Sequence, residues 1–244
     1  MTTNHLSKLS VIAVSFVFLI LTAVSAQAGS GPYVVRGNQH MIVGITLNEA
    51  AVLAALPKGL VPTKGVTGGI NVYSSKGGEG VAAYSRFYVW ADVAGHDSVN
   101  GTPGRYILWA ATSTGPDKLK KAGNVEVQGA AVMKKSDRDV SGVATAGGEE
   151  LAKIAIKLAE GPKCGPLAGS VNYPSKRASD GKMVITQYTA AGTACGAAPV
   201  SVAFSVDTSH PLSKYKPTKL TWAAFVPDLS FSGSPLIPIK LAEK

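Results

Sequence analysis

Tyr84, Arg86, Tyr88 and Trp90 stand two residues apart in a stretch rich in aromatic and β-branched side chains. Alternate residues of a strand share a face. A cation and three rings would therefore lie together, opposite Phe87 and Val89. Such a face is either a packed core or the wall of a pocket. If Arg86 points inward, it is the natural anchor for an acidic ligand. Tyr106, Leu108 and Ala110 alternate in the same way against Ile107 and Trp109.

Other chemistry has less to build on. His40, His96 and His210 are far apart, and no His-x-His, Cys-x-x-Cys or His-Glu-x-x-His spacing occurs. Neither a metal nor a cofactor is expected. Ser213-Lys214-Tyr215-Lys216 fits Ser-x-x-Lys, but it follows Ser170-Val171-Asn172 and no Lys-Thr-Gly comes after it, so the order is wrong for penicillin-recognising enzymes. Gly77-Gly78-Glu79-Gly80 lacks the Lys-Ser/Thr of a phosphate cradle. Gly147-Gly148 reads as a plain helix entrance.

The first 28 residues have the form of a secretory leader. Lys8 precedes an apolar run from Val11 to Val24, and Ser25-Ala26-Gln27-Ala28 supplies a small-x-small cleavage pattern. That run is shorter than the roughly 20 residues of a spanning helix, and no second one follows. The expected product is an exported protein, secreted or periplasmic, with one domain over 29–244 and no stable membrane span. Export favours a disulfide between Cys164 and Cys195, the chain's two cysteines. It would contribute about 3 kcal/mol in a chain-entropy account. The formal net charge is +9, one unit of it from Lys8. The basic residues are scattered without interleaved aromatics, so nucleic acid is not an expected partner. Asn100-Gly101-Thr102 fits a glycosylation sequon, relevant only in a eukaryotic secretory route.

Strands are expected at His40–Ile45, Gly69–Ser74, Val81–Val93, Arg105–Thr112, Val125–Met133, Ser170–Tyr173, Met183–Thr189, Val200–Val206 and Leu220–Phe231. A helix fits Thr46–Leu56, capped by Thr46 or Asn48 and stopped by Pro57. A second helix fits Gly148–Glu160, where Leu151, Ile154, Ala155 and Leu158 recur at helical spacing and Glu149 with Lys153 makes an i,i+4 pair. Pro116–Ala122 reads as one helical turn. The economical fold is α+β: an antiparallel sheet closed into a β-barrel, with two main flanking helices.

Several blocks, in order, resemble the acetoacetate decarboxylase family. These are Asn48-Glu49-Ala50 through Leu56-Pro57-Lys58-Gly59-Leu60, then Tyr84 to Trp90 leading to Gly104-Arg105-Tyr106, then His210-Pro211-Leu212, Lys219 through Ala224, and Pro227-Asp228-Leu229. The likeness touches most of the chain from His40 to Leu236. It implies a closed antiparallel barrel around a small cavity for a keto acid or similar ligand, and often homo-oligomers. It also implies a lysine nucleophile beside a second lysine, an arrangement cited generally for this enzyme as an amine activated by desolvation or a neighbouring cation. Lys134-Lys135 match that pair, with Lys134 forming the imine and Lys135 perturbing it. Met133 stands where the family has proline, and Glu126 lies about two residues too far upstream of the usual glutamate.

Other positions depart further. The family's pocket arginine falls near Ile45 or Thr46, and its two pocket glutamates near Asn71 and Arg86. An arginine in place of an acid reverses the local charge: it favours binding a carboxylate over the family's acid–base work. Export also removes the chain from intracellular keto acids. The sequence therefore favours an exported decarboxylase-like barrel that binds a small organic acid or similar ligand, with Arg86 as anchor and Asn71, Tyr84, Tyr88 and Trp90 lining the cavity. The alternatives are an active β-keto acid decarboxylase or related Schiff-base lyase using Lys134, and a structural or interaction barrel with no ligand.

Overall fold

A computed structural model describes residues 33–79, 81–113, 126–161 and 163–240. The segment expected to be a leader and the helical turn expected at Pro116–Ala122 lie outside them. The described chain forms β1 (Tyr33–Thr46), α1 (Glu49–Ala55), β2 (Thr67–Ser75), β3 (Gly78–Glu79), β4 (Tyr84–Val93), β5 (Gly104–Thr112), β6 (Glu126–Ser136), β7 (Asp139–Ala146), β8 (Glu149–Leu158), β9 (Cys164–Lys176), β10 (Met183–Phe204), a 3-10 turn (Pro211–Tyr215), β11 (Lys219–Gly233) and β12 (Ile237–Pro238).

The strands run β11-β1-β2-β4-β5-β6-β7-β8-β10, and β10 pairs back onto β11, so the sheet closes into a near-complete ring. Its pairings are antiparallel except for a short parallel contact between β5 and β6. β10 is long because it serves β8 and β9 along one edge and β11 and β12 along the other. Its second half pairs with β8, and its first half pairs with β9. Cys164 and Cys195 stand directly opposite in the β9–β10 ladder and are disulfide-bonded, the pairing expected from the sequence.

Among the described residues there is one α-helix, not the two expected. α1 is capped by Asn48, whose side chain accepts from the Ala51 N–H at 3.0 Å, and it buries Val52. The second expected helix is β8. Its Ile154, Ile156 and Leu158 are buried while Lys153 and Lys157 are exposed, a period of two. Leu151, Ile154, Ala155 and Leu158 satisfied the helical spacing as well, because a short apolar run fits both periods. The tie is broken by Gly147 and Gly148, with φ of +59° and +85°. Two adjacent left-handed residues make a tight hairpin turn rather than a helix entrance, and they join β8 to β7, a strand the sequence reading did not assign. Lys153 pairs with Glu150, not Glu149. Met183–Thr189 and Val200–Val206 were expected as separate strands; the first and all but the last two residues of the second lie in β10.

Strands β1, β2, β4 and β5 form a wall that is buried on both faces. Met41, Val43, Ile70, Val72, Phe87, Val89, Leu108 and Trp109 face an apolar core completed by β7 and β8. The opposite face carries Tyr73, Tyr88, Trp90, Ile107 and Ala110. Leu108 and Trp109 share the core side because the β4–β5 register shifts between Val89 and Trp90. That irregularity breaks the simple alternation expected along β5.

Candidate ligand-binding cavity

The second face of the wall borders a cavity of about 310 Å³. β9, the first half of β10 and β11 close its other sides. Strand register sets its lining in rows. His40 lies opposite Tyr73, Tyr73 opposite Arg86, and Arg86 opposite Thr112. The next row runs Ile42, Asn71, Tyr88, Ala110, and the next Gly44, Gly69, Trp90, Ile107. The glycines make room for large rings. A Cβ on Gly69 would sit 2.2 Å from the Trp90 ring, and one on Gly44 would sit 2.0 Å from the Trp222 indole nitrogen.

A chain of hydrogen bonds crosses the rows. Asn71 Nδ2 donates to His40 Nδ1 at 3.1 Å and to Tyr88 OH at 3.0 Å. Tyr88 OH lies 3.0 Å from Tyr173 OH, which also bonds Arg105. Tyr73 OH donates to Tyr84 OH at 3.0 Å, and the Tyr73 ring stacks on His40 with centroids 4.5 Å apart. Since Asn71 Nδ2 can only donate, His40 Nδ1 accepts and the imidazole proton sits on Nε2. Burial drives the His40 pKa down to about 3 against the opposing Asn71 bond, so the ring is neutral. Burial likewise pushes the Tyr73, Tyr84 and Tyr88 phenols up. They remain neutral hydrogen-bonding groups.

Two arginines line the cavity, and their situations differ. Arg86 is ion-paired with Glu126, which also accepts from Thr112 at 2.8 Å. Burial lowers the Arg86 pKa, but Glu126 and nearby tyrosines outweigh it and hold the group well above its ordinary value. Arg105 stacks on the Trp90 ring, 4.5 Å from its centroid. Among the described residues it has no carboxylate within ion-pair distance. Asp92, whose charge it feels, is bonded to Trp90 Nε1 and Thr67. Four buried polar atoms of lining residues have no partner: Arg105 Nε, Arg86 Nε, His40 Nε2 and Asn71 Oδ1.

One side of the cavity is closed without a backbone ladder. The loop between β4 and β5 is held to β9 by side chains. Asn100 Oδ1 accepts from the N–H and Oγ of Ser170 at 3.0 and 2.8 Å, and Ser98 Oγ donates to the Ser170 carbonyl at 2.8 Å. Asn172 Nδ2 reaches the carbonyls of His96 and Asp97. The Asn100 amide of the sequon is thus engaged in this seam.

Of the residues singled out from the sequence, Asn71, Tyr84, Arg86 and Tyr88 line the cavity, and Trp90 lies beneath Arg105. Lys134 and Lys135 are exposed near the end of β6, where Lys135 Nζ donates to the Asp137 carbonyl at 2.8 Å. Neither lines the cavity. Among the described residues the lining includes no lysine and no carboxylate. The sequence reading passed over His40, Tyr73, Arg105, Tyr173 and Tyr188. Alternation could have found Tyr73, two residues from Asn71. The tyrosines of β9 and β10 needed the tertiary pairing.

No protein-family model matches the chain, and no curated protein matches it in sequence. Solved structures do match, over most of its length. A pyruvate complex of the enduracididine biosynthesis enzyme MppR superposes with TM-score 0.69 at 9% identity, covering 91% of this chain and 95% of that one. Acetoacetate decarboxylase from Legionella pneumophila gives 0.65 at 12% identity over 86% and 88%. An acetoacetate decarboxylase-like enzyme from Sphingomonas wittichii RW1 gives 0.63 at 13% over 93% and 100%. The fold is that of the acetoacetate decarboxylase-like enzymes, as the sequence blocks suggested. At these identities the likeness is one of fold.

Proposed function

We propose that this protein is an exported binder of a small organic anion, held in the tyrosine-lined cavity with Arg105 as its anchor. The observation that carries the reading is the half-buried Arg105 guanidinium lining the cavity, with no carboxylate within ion-pair distance among the described residues. A ligand carboxylate would add charge-assisted hydrogen bonds to the Tyr173 bond and Trp90 stacking that already hold this cation. Arg86, the anchor expected from the sequence, is already neutralised by Glu126, so Arg105 is the cation left for a ligand. MppR, of similar fold, has been solved with pyruvate bound.

The cavity lining also bears on catalysis. Imine chemistry needs a lysine amine in contact with the ligand, and the described lining offers none. The leader, read from sequence, places the binder outside the cytoplasm. Calorimetric titration with a panel of monocarboxylates tests the proposal. Binding is expected for the wild-type protein, and its loss in Arg105→Gln. Failure of every carboxylate to bind or raise the melting temperature would instead favour a structural or interaction role. Borohydride reduction in the presence of a β-keto acid should leave no adduct; an adduct on Lys134 would restore the lyase reading.

A further inference from the structure

We infer that the cavity opens to solvent beside Trp222, and that this indole limits the bulk of the acid that enters. Trp222 is thus a specificity-determining residue. This deepens the anion-binding reading and rests on it.

Exposure locates the opening. Among the described lining residues three are exposed: Asn100, Ala168 and Trp222. Register and side-chain bonds bring them to one end. Asn100 is in the loop that joins β4 to β5, beyond Trp90 and before Arg105. Ala168 is two residues from Ser170, which donates to Asn100. Trp222 stands opposite Gly44, in the row of Gly69 and Trp90. The row of His40, Tyr73 and Arg86 is two rows farther from the loop, and each of these is exposed by 5% or less. Arg105 follows the loop directly, so the proposed anchor and the opening share an end.

Two indoles narrow that end. Gly44 and Gly69 face each other in the β1–β2 ladder, and neither has room for a Cβ. The space over Gly44 is taken by the Trp222 ring, reaching from β11, and the space over Gly69 by the Trp90 ring, reaching from β4. Directly opposed residues have Cβ positions about 5 Å apart, so the two rings approach each other across the wall. Trp90 is fixed: it is 1% exposed, bonded to Asp92 and stacked under Arg105. Trp222 is 45% exposed. The loop side of the opening is held by the Asn100–Ser170 bonds. A slender acid can pass with the indole in place, whereas a bulky one must first displace Trp222 toward solvent. Association that waits on such a movement is slowed.

Two keto acids of different girth test this on the full chain: pyruvate and trimethylpyruvate, 3,3-dimethyl-2-oxobutanoate. Each carries a methyl singlet whose NMR line shape gives its association rate. With the wild-type protein pyruvate should associate about tenfold faster than trimethylpyruvate. Trp222→Ala should bring the two rates within about twofold of each other, chiefly by speeding the bulky acid. Trp222→Phe should fall between. Asn100→Ala, which loosens the other side, should keep the wild-type ratio. Equal rates in the wild type would overturn the inference even if no variant folds. So would a ratio that survives Trp222→Ala, or one abolished by Asn100→Ala alone, which would place entry at the β9 seam; in each case anion binding stands. Absence of binding by both acids, with no rise in melting temperature, would overturn the anion-binding reading and the inference together.

Discussion

On β4, Phe87, Val89 and Ala91 point one way and Tyr84, Arg86, Tyr88 and Trp90 point the other. The first set meets a core of aliphatic side chains and a few rings, with Phe87 and Val89 at 0% exposure. The second meets phenols, an imidazole, an amide and two guanidinium groups around empty volume, and four of its polar atoms have no partner. One backbone thus serves two environments, separated only by residue parity. Close packing on the core face supplies stability. On the proposed reading, the polar groups fixed on the cavity face would supply selectivity, by the hydrogen bonds they can offer a ligand.

The contrast can be broken by substitution. Phe87→Ala, on the core face, should cost about 3–5 kcal/mol in urea denaturation, while Tyr84→Phe across the same strand should cost less than about 1.5 kcal/mol. Glu126→Gln tests the one place where the cavity face depends on charge for its stability. It leaves Arg86 buried and unpaired, and a loss of about 3–5 kcal/mol is expected. The double variant Arg86→Met/Glu126→Leu should recover most of that loss, since it removes both desolvated charges.

Acid should act on the cavity face through His40. Its folded pKa of about 3 lies below the unfolded value of 6.5, so the unfolded chain binds the extra proton between those values. The stability from neutral His40 is fully present above about pH 6.5 and falls as the pH drops, by up to about 1.4 kcal/mol per unit. Denaturation curves should show about 2 kcal/mol lost from this source by pH 5, and His40→Gln should remove that component. Gly44→Ala should have the smallest effect, about 1 kcal/mol or less. Its methyl must displace the Trp222 indole toward the solvent that already reaches 45% of it, and the change should be read as a shift in tryptophan fluorescence.

Sequence reading went furthest where one rule acted alone. Asn48 before an apolar helical run and Pro57 after it located α1. Alternation on β4 placed Tyr84, Arg86 and Tyr88 together on one face. It failed where two rules competed, as in β8, whose apolar residues satisfied both periods until the Gly147-Gly148 turn decided between them. It also failed where function depends on distant pairing. Nothing local to Arg86 announces Glu126, and with that partner unseen Arg86 looked like the free cation. Arg105 opens its strand with no such partner, and only the assembled wall distinguishes the two.

The side-chain seam between the β4–β5 loop and β9 has a dynamic consequence. Among the described residues β9 pairs only with β10, and it is tied to β10 at one end by the hairpin turn and at the other by the Cys164–Cys195 bond. Its middle is joined to Asn100 and Ser98 by side-chain bonds alone, so that side of the barrel can open without unzipping a ladder. The rate of local opening on this side would then follow the flexing of β9 rather than the unfolding of the barrel. The Ser170 amide, bonded only across the seam, should exchange its hydrogen at that same rate.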